Sequence, residues 1–170
     1  MRVLTVYASK HGSTKAIAER IAERLREGGV EVDVVEPATA PAPRGYDAFV
    51  IGSAVYFGCW MKPVAAFVRD NSEVLSSHPT WLFSSGPVGD KELPPPKEVT
   101  EFATSVHPVD HAVLRGALGK QGLSFTERTM VKAVHAPYED SRDWAVIDTW
   151  AHAIVGVLRQ RMEVLSPLAS

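Results

Sequence analysis

Hydrophobic and polar positions along this chain follow two alternating periods. Val3-Leu4-Thr5-Val6-Tyr7-Ala8 is a short apolar run that predicts a buried strand. After a polar interval, Ile17, Ile21 and Leu25 recur at i, i+4 and i+8, one stripe of an α-helix filled in by Ala18 and Ala22. Gly28-Gly29 supplies a stop, and 31–35 alternates polar and apolar like a half-covered strand. The Ala/Pro stretch 37–43 predicts a loop without regular structure. Residues 47–52 are almost continuously apolar, the pattern of a strand covered on both faces. A helix is expected to begin near 61–63, with Pro63 at an early position and Val64, Phe67 and Val68 facing the core. Residues 80–85 predict the next strand. Pro94-Pro95-Pro96 forces an extended piece before a helix at about 97–105. A fifth strand is expected over 111–118, and a last helix over about 142–161, with Trp144, Ile147, Trp150, Ala151, Ile154 and Leu158 on its core side.

Five strands alternating with helices predict an α/β fold, a doubly wound parallel sheet in three α/β/α layers. A single domain over 1–165 is expected, with a short tail at 166–170. The segment 119–141 is too long for a plain connection and is read as an insertion between the fifth strand and the last helix. Phe125, Met130, Val131 and Val134 hint at a short amphipathic helix within it. Insertions of this kind carry oligomer contacts or substrate specificity, so a homodimer built partly on 119–141 is one expectation. Contact of its apolar residues with a membrane surface is another.

Composition narrows the partners. With 170 residues, 45% hydrophobic, 22% charged and a net charge of −2, the chain has neither the basic stripe of a nucleic-acid binder nor a strong overall field. Its single cysteine, Cys59, excludes an internal disulfide and a cysteine-rich zinc site, and is read as a bystander. His107 and His111 are four apart, but Pro108 between them argues for a loop, and no metal is expected. The apolar run after Arg2 is too short for a signal-peptide core, and no stretch approaches the roughly 20 apolar residues of a membrane span. The expected compartment is the cytoplasm.

Candidate chemistry lies between the first strand and the first helix, at Ser9, Lys10, His11, Gly12, Ser13 and Thr14. The first N–H groups of a helix have no internal partner, and the helix dipole adds partial positive charge there. Ser9, Ser13 and Thr14 add hydroxyl donors, and Gly12 lets the backbone approach an anion closely. The loop lacks the Gly-Lys-Ser/Thr ending of a nucleotide-hydrolysing phosphate loop and the three glycines of a dinucleotide site. It suits a terminal phosphate monoester of the kind FMN carries. The alternative is an ordinary strand-to-helix turn with Ser13 as N-cap.

Ligands of open parallel sheets sit outside the carboxyl ends of the strands. Two more loops fall at that edge. One holds Ser53, Ala54, Val55, Tyr56, Phe57, Gly58, Cys59 and Trp60; the other holds Ser85, Gly86, Pro87, Val88 and Gly89. A flat ring system wants stacking partners, which Tyr56, Phe57 and Trp60 can supply, and backbone groups at its polar edge, which residues 54–58 and 86–89 can supply.

On these segments the chain resembles the flavodoxin-fold proteins, and within them the flavodoxin-domain family that includes the menaquinone-dependent protoporphyrinogen oxidases. The resemblance rests on 7–14, on 52–58, on Arg115-Gly116-Ala117-Leu118 with 127–132, and on Asp140-Ser141-Arg142-Asp143-Trp144. It implies strand order 2-1-3-4-5, non-covalent FMN, and electron or hydride transfer. Carried over by position, Ser9, His11, Gly12, Ser13 and Thr14 hold the phosphate, with Lys10 beside them. Ala54, Val55, Tyr56, Phe57 and Gly58, with Ser85, Gly86, Pro87, Val88 and Gly89, hold the isoalloxazine. The common flavodoxin loop has Thr where this chain has His11.

Three functions follow: a flavin oxidoreductase acting on a small aromatic or quinone-like molecule, with a porphyrinogen the sharpest case; a one-electron carrier for protein partners; and a non-catalytic binding module. Carrier flavodoxins resemble one another in strong acidity, which this chain lacks, so the enzyme is the leading reading. FMN carries the chemistry and no side chain is assigned as catalytic acid or base. Substrate is expected over the exposed flavin face beside Tyr56, Phe57 and Trp60, with Lys62 or Lys91 pairing an acidic substituent.

Overall fold

Each apolar run of the sequence becomes a strand of one parallel sheet. The computed structural model describes residues 1–86, 94–117 and 139–165. The elements run β1 (Arg2–Ala8), α1 (Ser13–Glu27), β2 (Glu31–Val35), β3 (Ala48–Tyr56), β4 (Cys59–Trp60), α2 (Lys62–Asp70), α3 (Ser72–Ser76), β5 (Thr80–Ser85), α4 (Lys97–Ser105), β6 (Asp110–Leu114) and α5 (Trp144–Leu165). The path across the sheet is β2-β1-β3-β5-β6, every pair parallel. This is the expected order 2-1-3-4-5, because β4 lies off the path as a two-residue antiparallel return against β3.

Strand residues alternate between two apolar layers, which is why the buried strands read as continuous runs. Val3, Tyr7, Val50, Trp81 and Phe83 pack beneath α1 and α5. Leu4, Val6, Phe49, Ile51 and Leu82 pack beneath α2, α3 and α4. The α1 stripe is buried as its spacing predicts, at Ile17, Ala18, Ile21, Ala22 and Leu25. One strand position is left unsatisfied. Thr5 is fully buried and its Oγ1 has no hydrogen-bond partner. Thr5→Val keeps the shape and removes the orphan hydroxyl, so it is expected to raise unfolding free energy by about 1 kcal/mol in urea titrations; a loss of stability contradicts this.

Several sequence expectations are corrected. Residues 37–39 form a short 3-10 turn rather than irregular loop. The fifth parallel strand ends at Leu114, because the chain then turns inward to the sheet edge. The last helix starts two residues later than expected, at Trp144, with Asp143 as its cap: Asp143 Oδ1 accepts from the N–H groups of Ala145 and Val146 at 3.0 and 3.1 Å. Trp144 is outside the core, stacked under the Arg142 guanidinium at 4.7 Å. The core face of α2 is Val64, Ala65 and Val68, with Phe67 half-buried and packed against the same cluster as expected. The insertion 119–141 lies outside the described residues up to 138.

Candidate functional site

Four loops meet at the carboxyl edge of the sheet. The first follows β1. Gly12 takes φ +83°, the left-handed region, and serves as N-cap of α1, with no side chain capping the helix. The cap is therefore Gly12 and not Ser13. Instead Ser9 Oγ accepts from the Gly12 N–H at 3.1 Å, and Ser13 Oγ accepts from the Ala117 N–H at 2.8 Å. Both hydroxyls act here as acceptors, which leaves their hydrogens to be offered to an anion. Thr14 is buried, while Lys10 and Lys15 are exposed and His11 is half-buried.

The second loop is a tight hairpin. Val55 pairs with Trp60 and Tyr56 with Cys59, leaving Phe57 and Gly58 as the turn. Both turn residues have positive φ, +53° and +70°. That is the two-residue turn whose twist suits antiparallel strands, with a phenylalanine where Asn or Gly is favoured. A bulky side chain in the left-handed region stores strain of order 1–3 kcal/mol. The strained residue is also the most exposed aromatic here: Phe57 is 76% accessible. Phe57→Asn is expected to raise the melting temperature by about 3 °C, since it relieves strain at little cost in burial. The same variant is expected to weaken FMN binding about tenfold through loss of the aromatic face, measured by flavin fluorescence. A variant that loses stability, or binds FMN unchanged, contradicts the reading of Phe57 as a strained ligand contact.

The hairpin base is pinned from below, and this corrects the placement of Trp60. That residue is 2% exposed and offers no face to a ligand. Its indole Nε1–H donates to Ser84 Oγ at 2.8 Å, its backbone N–H donates to the buried Glu98 carboxylate at 3.1 Å, and its ring meets Phe102 edge-on at 5.6 Å. The Met61 N–H donates to Ser53 Oγ at 2.9 Å. A two-residue return strand flips Trp60 to the inner face, under the hairpin instead of over the ligand. Stacking surface is left to Tyr56 and Phe57. Lys10 Nζ sits 5.8 Å from the Tyr56 ring centroid, which ties the first loop to the second. Lys62 is exposed at the first position of α2.

The third and fourth loops close the far side. Ser85 is buried, and Gly86 takes φ +125° with its N–H donating to the Leu114 carbonyl at 2.9 Å. Pro87, Val88, Gly89 and Lys91 lie outside the described residues. The fourth loop, 115–117, falls where the apolar pattern predicts the end of a strand. A Cβ on Gly116 would lie 3.4 Å from Ser85 Oγ and 3.6 Å from Ser13 Oγ, so Gly116 packs directly between two of the other loops. Ala117 bridges Asp140, and the Ser141 N–H donates to the Gly116 carbonyl at 3.1 Å. Arg142 forks onto Asp140 and holds that carboxyl below the usual carboxylate range. The segment before α5 thereby buttresses the phosphate-type loop through Ala117. The signals in sequence are the Gly-Ala pair following an apolar run and the family resemblance at 115–118 and 140–144.

The arrangement suits the two ends of FMN. A Cβ built on Gly12, Gly58 or Gly86 would meet no atom within 4 Å, so the backbone at all three positions borders open space. The uncapped α1 terminus with the Ser9 and Ser13 hydroxyls matches a phosphate monoester. Tyr56 and Phe57 match a flat ring. No residue of 9–14, 53–61, 85–86 or 115–117 is acidic, while Lys10 and Arg115 are exposed among them. Among these described loop residues a dianionic phosphate meets no carboxylate.

Known proteins agree. The flavodoxin domain family matches residues 4–144. Protoporphyrinogen IX dehydrogenase (quinone) of Escherichia coli strain K12 is 27% identical over 142 residues, covering 79% of this chain and 78% of that protein. Among solved structures, rubredoxin oxygen:oxidoreductase of Desulfovibrio gigas superposes with a TM-score of 0.64 at 17% identity, covering 95% of this chain and 37% of that one. This chain thus spans little more than a third of that larger protein. A cysteine-to-serine mutant of flavodoxin from Pseudomonas aeruginosa gives 0.60 at 14% identity, covering 94% of this chain and 99% of that one. At such identities the structures establish the fold, and the family match adds the rest: this chain belongs to the flavodoxin domain family, a flavoprotein family whose cofactor is FMN.

Proposed function

We propose that the protein is an FMN-dependent oxidoreductase that exchanges electrons with a small aromatic or quinone-like substrate, and that a porphyrinogen with a quinone partner is its most specific form. The observation that carries the reading is the strained, outward-facing Phe57 beside an open, non-acidic frame. FMN supplies the redox chemistry when bound. The chain contributes placement. Ser9 and Ser13 donate to the phosphate, and the α1 terminus balances its charge. Tyr56 and Phe57 hold the ring plane, and Gly58 and Gly86 allow backbone to approach it. Exposed Lys10, Lys62 and Arg115 surround the opening and favour an anionic substituent on the substrate.

The relative from Escherichia coli supports this choice, as its name joins a porphyrinogen to a quinone. Charge supports it too. A carrier that docks on basic partners needs an acidic rim, whereas the described residues of the four loops, 9–14, 53–61, 85–86 and 115–117, carry Lys10 and Arg115 and no carboxylate. The test is anaerobic stopped-flow. Protein reduced with dithionite and freed of excess reductant is mixed with a short-chain menaquinone analogue, and oxidised protein is mixed with protoporphyrinogen. Rapid, saturable reoxidation and reduction, respectively, are expected. Failure of both small molecules, with fast exchange only to a redox protein, overturns the enzyme reading in favour of a carrier.

A further inference from the structure

The hairpin that presents Phe57 is fastened by a hydrogen-bond chain that crosses β5 and ends on a histidine. Trp60 Nε1–H donates to Ser84 Oγ at 2.8 Å, and Ser84 Oγ lies 2.9 Å from His111 Nε2. Ser84 is 1% exposed, so water does not reach its hydroxyl, whereas His111 is partly exposed at the outer strand β6. The hydroxyl has one hydrogen. With Trp60 donating to its oxygen, that hydrogen is satisfied only if His111 Nε2 accepts it, which requires a neutral imidazole with its proton on Nδ1. A protonated His111 carries a hydrogen on Nε2, becomes a donor to Ser84, and leaves the buried hydroxyl hydrogen without an acceptor among the described residues.

We propose that His111 is a positioning residue for the flavin-binding hairpin: neutral, it completes the Trp60–Ser84–His111 chain, and protonated, it breaks the chain and loosens the anchor beneath Phe57. The surrounding charges are few. β5 contributes no titratable group, α4 contributes the buried Glu98, already engaged by the Trp60 N–H, and β6 contributes Asp110. The Asp110 carboxylate accepts from Trp150 Nε1–H at 2.7 Å, beneath α5 on the opposite face. Burial holds the imidazole below its ordinary value of 6.5, with Asp110 pulling partly back. A histidine whose folded form resists protonation gives full stability above that ordinary value. The contribution is lost as pH falls from 6.5 toward the lower folded value, because only the unfolded chain takes up the proton. The neutral state, and with it the tight hairpin, thus prevails at neutral pH.

The consequence for FMN rests on the site proposed above, so the test reads the chain without flavin first. In nitrogen-15-labelled apoprotein, with the indole resonances assigned by triple resonance, the Trp60 Nε1–H signal is expected to shift along the same titration curve as the His111 ring as pH is lowered from about 8 through that titration. His111→Gln keeps an acceptor and cannot titrate, so its Trp60 signal is expected to stay constant. Wild-type affinity for FMN is then expected to fall about tenfold further across that range than the affinity of His111→Gln, whose remaining pH dependence comes from the phosphate end alone. A Trp60 signal that ignores His111 protonation, or a variant that keeps the wild-type pH dependence, overturns the proposal. If Trp60 follows His111 while FMN binds at no pH, the relay stands and the flavin reading of the site falls.

Discussion

Gly52→Ala is expected to destabilise the fold by about 3 kcal/mol and lower the melting temperature by about 10 °C. Gly52 lies mid-sheet, paired with Tyr7 on one side and Phe83 on the other. A Cβ there would stand 1.9 Å from Phe83 Cζ and 2.1 and 2.4 Å from its Cε atoms. The ring has nowhere to go: Phe83 is fully buried and meets Trp150 edge-on at 6.1 Å. Relief requires displacing a packed aromatic or bending a central strand, and close-packed interiors resist both. Circular-dichroism melts check this, and Phe83→Leu in the same chain is expected to recover part of the loss. A melting temperature within about 2 °C of wild type contradicts the packing argument.

Gly12→Val is expected to weaken FMN binding about 100-fold, equivalent to about 3 kcal/mol, while riboflavin binding changes little. At φ +83° a β-branched residue is strained, and the cheapest escape is to unwind the turn that points the first N–H groups of α1 outward. Gly12→Ala is expected to show the same effect more weakly. The N–H of residue 12 is held by Ser9 Oγ, so the same disturbance frees the Ser9 side chain. Flavin fluorescence quenching with both ligands separates the phosphate end from the ring end. An equal loss for FMN and riboflavin would place the damage in the fold rather than in the cradle.

Local signals in the sequence were sufficient for the framework. The α1 stripe appears because a 3.6-residue period repeats over its length, and α4 occupies Lys97–Ser105 as expected because three prolines fix where it can start. The phosphate-type loop is legible for the same reason: strand, Gly/Ser turn and helix are contiguous. The site features that sequence missed depend on distant partners. Trp60 reads as a ligand-facing aromatic until β4 turns it inward, and Phe57-Gly58 lacks the Asn-Gly signature that announces such a turn. The role of Gly116 is set by Ser13 and Ser85, which approach it only in three dimensions. Trp144 fits the apolar spacing of the last helix, yet Arg142 stacks on it at the surface. His111 draws notice in sequence only through its spacing from His107, and its pairing with Ser84 appears only in three dimensions.

The central claim is that the carboxyl edge of this sheet grips FMN by its phosphate and its ring together. Equilibrium titration of the apoprotein with FMN and with riboflavin, followed by flavin absorbance and fluorescence, tests it most directly. One FMN per chain with micromolar or tighter affinity, and riboflavin weaker by about 100-fold, is the result predicted. Equal affinity for the two flavins, or no FMN bound at about 100 μM, would contradict it.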